Sequence, residues 1–169
     1  MKSTLFRVIL PLALVFVMIS CSSDATEDLN VPVAPTVAMV QNYDYRADEL
    51  ELADLINEHR ASLGLNTLLT INHISYKSEE HNEYMIAKKE LNHDLFDERS
   101  QNIMQVLGAV KVNENVAYNY ATPVAVLNAW LNSAGHKANI EGNFTNFGIS
   151  IREDATIGKK YYTNIFIKR

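Results

Sequence analysis

The sequence predicts a mixed α+β domain over residues 47–169, and three observations carry that prediction. Apolar residues recur at i, i+3, i+4 spacing through residues 48–89. From Phe147 onward the pattern changes to strict alternation. Two alternating runs flank a short polar segment at residues 154–159, the layout of a β-hairpin. Helices grouped ahead of a mainly antiparallel sheet give α+β architecture.

The first helix is expected over residues 48–63. Leu52, Leu55, Ile56, His59 and Leu63 then share a face, Asp48 caps the start and Gly64 suits the stop. A second helix fits residues 71–89, with Thr70 as cap and Ile74, Ser78, His81 and Met85 along its inner face. A shorter helix fits residues 98–107 and ends at Gly108. A fourth begins at Thr122-Pro123, because Thr is a good N-cap and Pro is pre-organised for the first helical position. Val124, Leu127, Trp130 and Leu131 form its apolar face, and Gly135 is expected to end it. Residues 112–118 read as a strand. Phe147, Ile149 and Ile151 mark the next, and Tyr161, Thr163, Ile165 and Ile167 the last. There is no internal repeat.

The N-terminus reads differently. Lys2 and Arg7 precede an apolar run, residues 8–19, broken only by Pro11. A membrane-spanning helix needs roughly 20 apolar residues, so this run has the length of a secretory signal core. Met18-Ile19-Ser20-Cys21 resembles the lipobox of bacterial lipoproteins, with Met18 where Leu is usual. That resemblance implies a signal peptide over residues 1–20 and lipidation of Cys21. The chain would be exported and anchored by acyl chains to a bacterial membrane, on the periplasmic face or the cell surface. Residues 21–46 are small, polar and acidic, with Pro32 and Pro35, and read as a flexible tether.

Composition narrows the partners. Cys21 is the only cysteine, so no intrachain disulfide forms and the domain must rely on its core. Without Lys2 and Arg7 the chain carries 13 basic against 20 acidic residues. An acidic balance argues against nucleic acid, whose binding needs a basic face. No HExxH, P-loop, dinucleotide fingerprint or G-x-S-x-G elbow occurs. With Cys21 reserved for lipid, a cysteine nucleophile is excluded.

Polar residues instead gather in short phrases. These are Asn92-His93-Asp94, Asn113-Glu114-Asn115-Val116-Ala117, and the run from Trp130 through Ser133, Gly135, His136 and Asn139 to Ile140. Phe147-Gly148-Ile149 and Tyr162-Thr163-Asn164 follow. In these phrases, and in Leu55-Ile56-Asn57-Glu58-His59-Arg60, the chain resembles the CAP superfamily: cysteine-rich secretory proteins, antigen 5 and pathogenesis-related proteins, also called SCP domains. It is most similar to the bacterial branch. The resemblance implies a three-layer α-β-α sandwich with a mainly antiparallel central sheet. It also implies that His93, Glu114 and His136 meet in one cleft, where the two histidines of several members hold a divalent metal. Two residues depart from the family pattern: Asn113 stands where Gly is usual, and Ser133 where eukaryotic members carry a second Glu.

Two function classes follow. One is a non-enzymatic binding module that presents the cleft residues His93, Glu114, Ser133 and His136 to a lipid, glycan or peptide, with or without a divalent ion such as zinc. The other is a metal-dependent hydrolase, with His93 and His136 as zinc ligands and Glu114 as general base. His59, His73 and His81 read as structural or surface residues, and Trp130 as core.

Overall fold

The computed structural model describes residues 38–169. The expected signal peptide, Cys21 and most of the expected tether therefore lie outside the described residues. Residues 38–46 form no helix or strand, yet they are fastened to the domain. Val40 N–H donates to His73 Nδ1, Asn72 Nδ2 to the Gln41 carbonyl, and Tyr45 Oη meets Ser75 Oγ at 2.9 Å.

Five helices and four strands follow in the order α1 (Ala47–Ser62), β1 (Leu69–Thr70), α2 (Asn72–Lys88), α3 (Phe96–Leu107), β2 (Lys111–Tyr118), α4 (Pro123–Leu131), α5 (Ala134–Ile140), β3 (Asn146–Asp154) and β4 (Lys159–Lys168). The sheet order is β1-β3-β4-β2. β3 and β4 form the expected hairpin, β2 pairs antiparallel with β4, and only the short β1–β3 pairing is parallel.

Strand alternation sorts the core into two sides. Phe147, Ile149 and Ile151 of β3, with Tyr162 and Phe166 of β4, pack with Leu52 and Ile56 of α1 and Leu127 and Trp130 of α4. Ile165 and Ile167 of β4 and Val112 of β2 pack instead with Ile74 of α2 and Ile103 and Leu107 of α3. Helices thus cover both sheet faces, which is the expected α-β-α sandwich.

Local physics explains the differences from expectation. α1 is preceded by Arg46, not capped by Asp48; the Glu49 carboxylate accepts the Arg46 N–H at 2.9 Å. Leu63 is exposed, and Arg60 is fully buried in its stead. The Arg60 guanidinium is stabilised there by donating to the carbonyls of Ile140, Gly142 and Asn66. Thr70 lies in β1, and Ile71 precedes α2 without a side-chain cap. α3 starts two residues earlier than expected, after Leu95 in the left-handed region at φ 58°. α4 does not run on to Gly135. It ends at Leu131, and a separate α5 begins at Ala134, so Gly135 and His136 lie inside a second helix. Val124 is exposed, while Val126 is buried in its place.

Candidate functional site

Glu114 sits in the middle of β2, and the alternation that sends Val112 and Val116 toward α2 and α3 sends Glu114 the same way. Its carboxylate is almost wholly shielded from solvent. A buried carboxylate needs a counter-charge and hydrogen-bond donors, and Arg99 of α3 supplies both. Nε and Nη2 reach Oε2 at 3.0 and 2.8 Å, and Nη2 also lies 3.0 Å from Oε1. This is a two-pronged guanidinium–carboxylate pair. Arg99 Nη1 donates further to the Asp94 carbonyl at 2.8 Å, which fixes the loop carrying His93.

His93 follows from that arrangement. Its Nδ1 lies 2.8 Å from Glu114 Oε1. An ionised carboxylate only accepts, so Nδ1 carries the proton and neutral His93 has its lone pair on Nε2. About half of the His93 side chain is open to solvent. On the inner side of the same carboxylate, His81 Nε2 stands 3.8 Å from Oε1 and donates to the Asn92 carbonyl at 2.9 Å. Burial holds the His81 pKa below the usual imidazole value; Glu114 opposes that shift and the Arg99 charge adds to it.

His136 lies on α5, half-buried, and α5 is stapled to β2 by amides. Asn115 Nδ2 donates to the His136 carbonyl at 3.0 Å. Asn139 Nδ2 lies 2.8 Å from Asn115 Oδ1 and 3.2 Å from the Glu114 carbonyl. Asn113, the departure from the family's usual Gly, donates to Asn139 Oδ1 at 2.7 Å. Trp130 is core, as expected, and its Nε1–H donates to the Val116 carbonyl. Through Asn139 and Trp130, side chains cover part of the strand edge that β4 leaves unpaired. Burial lowers the His136 pKa, and His93, when protonated, lowers it further. His136, Ser133, Trp130, Tyr118, Tyr120 and Leu91 line a cavity of about 250 Å³.

The structure therefore joins His93 to Glu114 directly and ties the backbone of His136 to the neighbouring residue of the same strand. Sequence reasoning missed Arg99 as a site residue and left His81 outside the site. A signal existed for Arg99: with Ile103 and Leu107 it forms the i, i+4, i+8 stripe that α3 buries. A cation on the inner stripe of a helix demands a buried partner.

The residues also bear on the implied metal. A histidine whose Nδ1–H is held by a carboxylate, with Nε2 left as donor, is the usual supporting arrangement for a metal-binding imidazole. Glu114 itself is engaged by Arg99 and His93. Among the described residues, no three His, Cys, Asp or Glu side chains are grouped to hold an ion. The donor set is thus two imidazoles at most.

Comparison with known proteins agrees with the fold. Residues 53–166 match the CAP family model, described as the cysteine-rich secretory protein family. Over 120 residues the chain is 30% identical to the Bacillus subtilis protein YkwD, covering 66% of this chain and 45% of that one. Over 60 residues it is 42% identical to the B. subtilis membrane protein YlbC, covering 35% of this chain and 16% of that one. The chain thus spans less than half the length of either relative. Among solved structures, an outer surface protein of Borrelia burgdorferi superposes with a TM-score of 0.67 at 23% identity, over 75% of this chain and 96% of that one. An extracellular SCP-domain protein of Bacillus anthracis superposes with a TM-score of 0.63 at 28% identity, over 72% of this chain and 40% of that one.

Proposed function

The chain belongs to the CAP family of cysteine-rich secretory proteins, and from that premise we propose that it is an extracytoplasmic binding module, not a hydrolase. The observation that carries this reading is the state of Glu114. A general base needs a free lone pair within reach of the proton it removes. The Glu114 carboxylate is buried, forked by Arg99 at both oxygens and joined to His93 at one of them. Its lone pairs are committed to holding other groups in place. Further along β2, the cavity at His136 offers aromatic walls and a few hydrogen-bonding groups, the usual make-up of a ligand pocket. The occupant we propose is part of a lipid, glycan or peptide.

Export and lipid anchoring at Cys21 belong to the same proposal. Among the described residues no helix is long and apolar enough to cross a membrane. The relatives' own descriptions, an outer surface protein, an extracellular protein and a membrane protein, support a place outside the cytoplasm or at a membrane.

A divalent ion such as zinc, if taken up, would be held by His93 and His136 and would add Lewis acidity to the pocket. Two protein ligands make a weak, exchangeable site. Zinc titration by calorimetry on the full chain tests this, beside His93→Ala and His136→Ala. One-to-one binding, abolished in both variants, is the expected result; binding that survives either change would remove the metal from the proposal. The binding reading itself is tested on a substrate panel of esters, peptides and glycosides. Turnover that depends on Glu114 would overturn it.

A further inference from the structure

One end of the sheet differs in composition from the rest of the domain. β1, β2 and β3 begin there and β4 ends there: Leu69 lies across from Asn146, Asn146 from Ile167, and Ile167 from Val112. The opposite end carries the β3–β4 turn, residues 155–158. Hydrogen bonds join the near end into one surface. Leu69 N–H donates to the Thr145 carbonyl, Arg169 N–H to Thr145 Oγ1, and Val110 N–H to the Lys168 carbonyl.

Three features of this end point to a partner. The first is charge. The chain is acidic overall, yet residues 64–73, 104–112, 142–147 and 166–169, which build this end, include no Asp or Glu. Glu141, just ahead of them, is engaged by His59 and Lys137. Lys111, Lys168 and Arg169 have no ion-pair partner among the described residues, whereas Lys77, Lys88, Lys137, Arg152 and Lys160 each meet a carboxylate. Lys111 and Lys168 also stand directly opposite each other across β2 and β4. Like charges so placed destabilise a sheet, and an anion between them removes the cost. Their nearest partners are neutral: Lys168 Nζ donates to Asn143 Oδ1 at 3.0 Å, and Lys111 Nζ lies 4.7 Å from the Phe144 ring centroid. The second feature is apolar exposure. Val110, 75% exposed, and Leu69, 69% exposed, are the two most open large apolar side chains among the described residues, and both lie here. The third is the path of the chain. Asn72 Nδ2 donates to the Gln41 carbonyl and Val40 N–H to His73 Nδ1, so the first described residues are held beside the start of α2, next to β1. Residues 1–37, with the apolar run and Cys21, join the domain at this end.

We propose that this end of the sheet docks on the surface of an anionic phospholipid bilayer. Lys111, Lys168 and Arg169 meet lipid phosphates, while Val110 and Leu69 enter the headgroup region. Basic and apolar groups on one face are the combination that holds a protein at a membrane interface. The cavity at His136, lined by residues 116–120 toward the far end of β2, then faces away from the bilayer. The docking rests on the domain's own surface and does not require lipid on Cys21.

The test uses the full chain carrying Val110→Trp or, in the β3–β4 turn, Ile157→Trp, with the parent chain as the blank for buried Trp130. Each is mixed with vesicles of brominated phosphatidylcholine, alone or equimolar with phosphatidylglycerol. On the anionic vesicles Val110→Trp should shift to the blue and be quenched by the bromolipid, and Ile157→Trp should not. Quenching at Val110→Trp should be weaker by roughly fivefold without phosphatidylglycerol. Adding Lys111→Gln and Lys168→Gln should weaken it to a similar degree, and this change should not disturb folding because it removes a like-charge contact. Lys111→Arg with Lys168→Arg keeps the charge and should keep the quenching. Equal quenching at the two positions, none at Val110→Trp, or quenching indifferent to phosphatidylglycerol or to the two lysines would each overturn the proposal. The zinc titration and the substrate panel report on the cleft, so failure here leaves that reading untouched.

Discussion

At the scale of single residues the site is organised by a pair that cannot be split without a large loss. Glu114 and Arg99 are both buried, and each satisfies most of the other's hydrogen-bonding capacity. Arg99→Met leaves the buried Glu114 carboxylate without its counter-charge, and the expected cost is roughly 3–5 kcal/mol of unfolding free energy. Adding Glu114→Gln should restore much of that loss, because the uncompensated charge disappears. Urea denaturation of the two single variants and the double variant checks this; strictly additive losses would show that the two side chains do not act as a pair. The same pair shows what was legible beforehand. His93, Glu114 and His136 stood out because they sit in phrases that resemble a family pattern. Arg99 stands in no such phrase, and its role depends on a contact between a helix and a strand 15 residues further on. A distance in space of that kind leaves no local mark except a cation on an apolar stripe.

At the scale of elements, the contact between α2 and the sheet depends on one absent side chain. A Cβ at Gly148 would collide with the backbone of α2 at Ser75 N and the Ile74 carbonyl carbon. Around it, Ser78 Oγ donates to the Gly148 carbonyl and the Ile149 N–H donates to Ser75 Oγ. The helix therefore rests directly on the β3 backbone. Gly148→Ala must push α2 outward and break these bonds, and we expect a loss of about 2–3 kcal/mol. Thermal and urea unfolding would read it, and a loss under about 0.5 kcal/mol would show that the helix can shift freely. Elements with strong periodicity were legible in the sequence. The inner face of α2 (Ile74, Ser78, His81, Met85) is buried as its spacing foretold, and so are the alternating residues of β3 and β4. Three features were not legible, each for a physical reason. β1 has two residues, too few to show a period. The break between α4 and α5 falls at Asn132-Ser133, while Gly135 drew attention as a stop although it is helical. The start of α3 is hidden by Leu95, whose left-handed backbone contradicts its own preference.

At the scale of the whole molecule, three histidines, two on α2 and one on α5, make stability depend on pH in one direction. The pKa values of His73, His81 and His136 all lie below the ordinary imidazole value of 6.5, with burial as the largest cause in each. For His73 the Lys77 charge adds to burial, while the Asn102 hydrogen bond and Glu80 oppose it. The unfolded chain therefore binds protons first as pH falls below about 6.5. Unfolding free energy rises with pH wherever the unfolded state holds more protons, so stability must decline from about pH 6.5 downward and level off once the folded histidines also titrate. The geometry says why the folded state resists protonation. His73 Nδ1 accepts from the Val40 N–H while its Nε2 faces Asn102 Oδ1, so a second proton would point at a donor and release residues 38–46. His81 would gain an N–H at Nδ1, where no partner stands among the described residues. Burial works to raise the Asp48 carboxyl, but Lys160 and Arg46 outweigh it and hold the group low, so it contributes a separate loss only below about pH 3.8. Urea midpoints measured from about pH 7.5 to 3 should therefore fall in two stages. His73→Gln cannot titrate and should flatten the upper stage while leaving the lower one in place. A midpoint that stays level between about pH 7.5 and 5 would mean that these histidines protonate as readily in the folded chain as in the unfolded one.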